Sequence, residues 1–80
     1  MTDSEYWIYS IKSRLKELRK SKKMSVEDMA SKLYISAPAI YKWESTKNTG
    51  LPALDHVIDI SVMFEVSADW LLLGKGRMYK

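Results

Sequence analysis

The sequence predicts an all-α fold of five helices, on three observations. Apolar residues recur at three- and four-residue steps in five segments, serines stand where several of those segments begin, and no stretch reads as a strand. The first helix is expected from about Glu5 to Lys22, with Ile8, Ile11, Leu15 and Leu18 as its inner stripe and basic residues around the rest. The second spans 26–33: Val26, Met29, Ala30 and Leu33 share a face, Ser25 can cap the first turn, and Glu27 and Asp28 suit the positive end of the helix dipole. Tyr34 and Ile35 interrupt this pattern, and Ser36 offers a new cap. The third helix is then expected over 37–45, where Pro38 is tolerated because first-turn amides lack intrahelical partners. Ile40 and Trp43 face inward there, which turns Ala37, Ala39, Tyr41 and Lys42 outward. Two short helices around a tight corner make a helix-turn-helix, a unit that also occurs in all-α domains with no role in binding DNA.

The polar segment Ser45 to Pro52 reads as a loop. A fourth helix, about Ala53 to Phe64, buries Leu54, Val57, Ile58, Ile60, Val62 and Phe64 in some combination. The fifth starts behind Ser67, runs through Ala68, Asp69, Trp70, Leu71, Leu72 and Leu73, and stops at Gly74, a residue suited to a left-handed terminus. Residues 1–74 form the expected domain, and 75–80 a short, basic, mobile tail.

Eighty residues are expected to make one domain with a single core, of stability roughly 4 to 12 kcal/mol. The absence of cysteine removes disulfides and thiolate metal sites and fits a reducing compartment. With no apolar run long enough to span a bilayer and no leader-like N-terminus, a cytoplasmic protein without membrane partners is expected. Charge is unevenly placed. Lys12, Arg14, Lys16, Arg19, Lys20, Lys22 and Lys23 face only Glu17 within 12–23, whereas 51–70 holds Asp55, Asp59, Glu65 and Asp69 and no Lys or Arg. A positive end of this kind attracts polyanions.

Catalysis has little to stand on. His56 is the only histidine, and beside Asp55 and Asp59 it reads as a surface or packing residue. No glycine-rich phosphate loop or metal-ligand spacing appears, so neither an enzyme nor a cofactor is expected. Tyr6, Trp7 and Tyr9 could stack on a partner or cover the core; Trp43 and Trp70 are core candidates.

From about Ile11 to Gly74 the chain resembles the phage repressor and Cro-type helix-turn-helix family, the lambda-repressor-like XRE class. The residues that carry the likeness are LKELRKSKKMSVEDMASKL, then ISAPAIYKWE, then VSADWLLLG. The resemblance implies a compact five-helix domain, a homodimer on a double-stranded DNA operator, with the third helix in the major groove. It further implies base-facing positions at Ala37, Pro38, Ala39, Tyr41 and Lys42, and phosphate contacts from Ser25, Val26, Ser36, Ser45, Lys47, Asn48 and Thr49. Arg19 pairs with Glu44 on the same grounds, and Trp70, Leu72 and Leu73 fall at the two-fold interface.

Several positions depart from the family pattern. Ala37, Pro38 and Ala39 offer no side-chain donor or acceptor, so base reading would rest on thymine methyls, on Lys42 toward guanine and on Tyr41. Val26 replaces a phosphate-binding Gln, though the free amides of that helix end can still hold a phosphate. Tyr34 and Glu65 replace glycines, and the loop after the third helix is longer than usual. An apolar reading face is also compatible with a modulator or antirepressor that binds another regulatory protein.

Overall fold

The computed structural model describes residues 2–80, so residue 1 of the expected domain lies outside the described residues. Among these the chain is all-α, with five helices. Helix α1 spans Asp3–Ser21, starting earlier than the apolar stripe requires because the Thr2 hydroxyl accepts the Glu5 amide at 3.2 Å. Helix α2 spans Val26–Leu33 and opens on a reciprocal cap: the Asp28 amide donates to Ser25 Oγ at 2.9 Å and the Ser25 amide to the Asp28 carboxylate at 3.1 Å. Helix α3 spans Ala37–Glu44, with Ser45 as its C-terminal cap; α4 spans Leu54–Met63 and α5 Ala68–Leu73.

Helix α3 is held on two sides, by α2 and by α1, while α5 packs on α1 and α4. Leu15 and Leu18 of α1, Met29 and Leu33 of α2, Ile40 and Trp43 of α3, Ile60 of α4 and Leu71 of α5 share one core. Leu54, Ile58 and Val62 are exposed, and the buried face of α4 belongs to Val57, Ile60 and Ser61, with Phe64 just beyond. Ten residues make under three turns, so only one side of α4 can face the core, and Leu54, Ile58 and Val62 stand off it with Asp55 and Asp59.

The C-terminal tail differs from expectation. It folds back against the residues between α4 and α5: the Ser67 amide donates to Met78 O at 2.8 Å, the Lys80 amide to Glu65 O at 3.2 Å, and Val66 and Tyr79 form an isolated antiparallel bridge. The Tyr79 hydroxyl lies 2.6 Å from Ser21 Oγ, and the Lys22 ammonium sits 4.9 Å above the Tyr79 ring. Ser61 of α4 satisfies both backbone groups of Val66, its carbonyl accepting the Val66 amide at 3.1 Å and its hydroxyl donating to Val66 O at 2.7 Å, whereas the Ser67 amide and the Glu65 carbonyl find their partners in the tail.

Candidate nucleic-acid interface

The corner between α2 and α3 turns on Tyr34, whose backbone is left-handed at φ 57°. That conformation reverses the chain within two residues, so the Ile35 amide reaches back to Ala30 O at 3.0 Å. The Tyr34 ring is 93% exposed and plays no part in the core. Ser36 then starts α3 by accepting the Ala39 amide.

Helix α3 buries Ile40 and Trp43. Pro38, Tyr41 and Lys42 are exposed and Ala39 is half-buried, whereas Ala37 leans onto the edge of the core and has less surface to offer a partner. The Tyr41 hydroxyl donates to Glu27 on α2 at 3.3 Å. Trp43 also packs against His56 of α4, with ring centroids 5.5 Å apart. His56 Nδ1 is buried without a hydrogen-bond partner, which makes the imidazole part of the packing between α3 and α4.

The far end of α3 is clasped to α1. Arg19 Nε donates to Glu44 Oε2 at 2.7 Å and Nη2 to Oε1 at 2.9 Å, while Nη1 donates to Met24 O at 2.9 Å. This fork raises the pKa of the Arg19 guanidinium above its ordinary value, chiefly through the hydrogen bonds to Glu44 and against the opposing effect of burial.

Three basic residues of segment 12–23 are structural, which shrinks the positive patch. Lys12, placed by sequence on the solvated face, is fully buried; its ammonium donates to Lys42 O at 2.8 Å, Asn48 Oδ1 at 3.1 Å and Gly50 O at 2.5 Å, with Trp43 O at 3.4 Å sharing a donor. Arg14 donates to Leu71 O and Leu72 O at the end of α5. Together with Arg19, each side chain meets carbonyls at or beyond a helix C-terminus, where the last turn leaves acceptors free. The sequence signal for Lys12 was its place in the α1 stripe, adjacent to Ile11 and three residues before Leu15. Lys16, Lys20, Lys22 and Lys23 remain exposed.

The residues assigned to phosphate fall into two groups. Ser25, Ser36 and Ser45 use their oxygens as acceptors for backbone amides, which leaves the hydroxyl hydrogens of Ser36 and Ser45 able to donate to a phosphate, while the Ser25 hydroxyl is engaged with the Asp28 carboxyl. Val26 has a buried side chain, so only its backbone could take part. In the loop, Lys47 and Thr49 are exposed, but Asn48 Oδ1 accepts from both Lys12 and the Gly50 amide, making Asn48 a brace of the loop. Of the three positions assigned to a two-fold interface, Trp70 is in the core at 9% exposure. Leu72 is half-buried and Leu73 is 64% exposed; both line a groove of about 610 Å³ with Tyr6, Trp7, Ile11 and Arg14. Among the described residues, no three His, Asp or Glu side chains gather as metal ligands would, and no helix is long and apolar enough to cross a membrane.

A family model described as a helix-turn-helix domain matches residues 13–77. Over 62 residues the chain is 42% identical to the HTH-type transcriptional activator BcrR of Enterococcus faecalis, covering 78% of this chain and 29% of that protein. It is 39% identical over 63 residues to a Bacillus subtilis (strain 168) protein named as the uncharacterized HTH-type transcriptional regulator YqaE, covering 79% of this chain and 53% of that one. The chain therefore spans about half of one relative's length and under a third of the other's. No solved structure matches the chain significantly.

Proposed function

The chain belongs to the helix-turn-helix domain family, and on that footing we propose that it is the sequence-specific DNA-binding unit of a transcription regulator, of phage or bacterial repressor type. One observation carries this reading: α3 is locked from behind by Ile40, Trp43 and the Arg19–Glu44 clasp, and its other side leaves Pro38 and Tyr41 open to a major groove. The hydroxyls of Ser36 and Ser45 and the free amides where α2 begins behind Ser25, with Lys47 and Thr49, would hold the flanking phosphates and set the register. With no polar side chain at positions 37–39, base selection rests on apolar contact with thymine methyls, on Tyr41 and on DNA shape.

Repression is the outcome assigned to the domain acting alone, since occluding a promoter requires only binding. Two-fold association through Leu72 and Leu73, beside the exposed Tyr6 and Trp7, would space two copies of α3 about one DNA turn apart. Selection of bound sequences from random duplex DNA tests the reading. Enrichment of a two-fold motif supports both DNA recognition and the symmetry; failure to enrich any motif, with no salt-dependent binding, would favour a protein-binding modulator acting through Pro38 and Tyr41.

A further inference from the structure

Lysine 42 has a specific relation to the loop that follows its helix. Gly50 has no side chain, and a Cβ built there would stand 2.6 Å from Lys42 Cε and 3.0 Å from both Lys42 Cγ and Asn48 Oδ1. The lysine stem therefore runs across the bare backbone of Gly50. The loop in turn is fixed from beneath, because the Lys12 ammonium joins Asn48 Oδ1 and Gly50 O to the Lys42 and Trp43 carbonyls at the end of α3. Asn48 Oδ1 also accepts the Gly50 amide at 2.8 Å, which closes the loop on itself.

On the reading that this domain binds DNA, we propose that Lys42 is a phosphate anchor and not a base reader, and that Lys12 and Gly50 are its positioning residues. A buried ammonium beneath the loop and a second one running over it repel each other. Burial first, and the charge of Lys42 second, pull the Lys12 pKa below its ordinary value. Lys42 is exposed, and so are Lys47 and Thr49 in the loop that its stem crosses. A strongly hydrated point charge with rotatable donors suits a phosphate oxygen, whereas reading guanine rewards a rigid fork aimed at a base edge.

The test measures wild type, Lys42→Ala, Gly50→Ala and the double variant on a selected operator and on duplexes substituted at one base pair at a time, across a range of salt. Lys42→Ala is expected to weaken all duplexes by the same factor and to reduce the slope of log K against log salt by about 0.9, the signature of one lost phosphate contact. Gly50→Ala is expected to give the same slope change, since its methyl displaces the flexible lysine stem while the Gly50 carbonyl still meets Lys12. The double variant should fall no further than either single one. Lys12→Met, which fills the same buried channel without donors, is expected to show the slope change as well. If it fails to fold, Gly50→Ala carries the test. A changed preference at one base pair with an unchanged slope in Lys42→Ala, or a neutral Gly50→Ala, overturns the proposal and leaves DNA binding standing. Absence of any salt-dependent duplex binding by wild type overturns the DNA reading and this proposal with it.

Discussion

The Arg19 guanidinium holds the Glu44 carboxylate through two hydrogen bonds of 2.7 and 2.9 Å, joining the last turn of α1 to the last residue of α3. The two side chains are only 13% and 8% exposed. Removing one partner would leave a charge with little water to replace it. Arg19→Met is accordingly expected to destabilise the domain by about 3 kcal/mol, and Arg19→Met with Glu44→Met by considerably less, since the pair is then replaced as a unit. Urea unfolding of the single and double variants measures both; equal losses in the two would show that the pair's charges are not what matters.

The cap of α2 makes a pH-dependent contribution. Hydrogen bonds from the Ser25 backbone, and next from its hydroxyl, hold the Asp28 carboxyl below its ordinary value of 3.8. A carboxyl lowered in the folded state contributes stability that is fully present above its unfolded pKa and is lost as pH falls through its folded pKa. The stability gap between wild type and Asp28→Asn is therefore expected to be constant near neutrality and to shrink below about pH 4. Ser25→Ala should cost about 1 kcal/mol at neutral pH. A gap that stays constant through acid would refute the assignment.

Left-handed backbone at Tyr34 carries a cost that its side chain does not repay with contacts, since the ring is almost wholly in solvent. Tyr34→Gly relieves about 1 kcal/mol of strain and adds somewhat less in unfolded-state entropy. The variant is expected to melt slightly above wild type, by calorimetry, and to bind DNA equally well. A loss of affinity would give Tyr34 a part in the interface.

Tyr79 ties the C-terminal segment to α1 and to Val66. Tyr79→Ala is expected to cost about 1 kcal/mol, combining one hydrogen bond with one exposed cation–π contact. Faster hydrogen exchange at the amides of Ser67 and Lys80 should accompany it. Unchanged exchange at both amides would mean that the backbone bridge holds without the ring.

Leu73→Glu tests the two-fold contact without touching the core, because Leu73 is largely exposed. Sedimentation is expected to show wild-type association abolished by the substitution, with the monomer fold and melting temperature retained. A wild-type chain that stays monomeric on operator DNA would remove Leu72 and Leu73 from any interface.

The five helices were legible because each carries its own local signals: an apolar stripe, the serines before α2, α3 and α5, and Gly74 after α5. The roles of the basic residues were not legible in the same way. Arg19 was the exception, paired with Glu44 through the family resemblance; Lys12 and Arg14 look like members of one charged face, yet each reaches a carbonyl at or beyond the end of a helix more than twenty residues away. Likewise Lys75 to Lys80 has the composition of a mobile tail, and its order depends on the Glu65 carbonyl and the Ser67 amide, which no local pattern announces as its partners.

By itself, then, the sequence determined the all-α class, the order of the helices, the corner at Tyr34 and the inner face of α3, because periodicity and capping act over a few residues. Only the tertiary structure decided that Lys12 lies beneath the loop, that Lys42 lies across Gly50 and that the tail is bound. Those outcomes depend on which distant carbonyls, ring faces and open backbones meet when the helices pack. Local spacing does not encode those meetings.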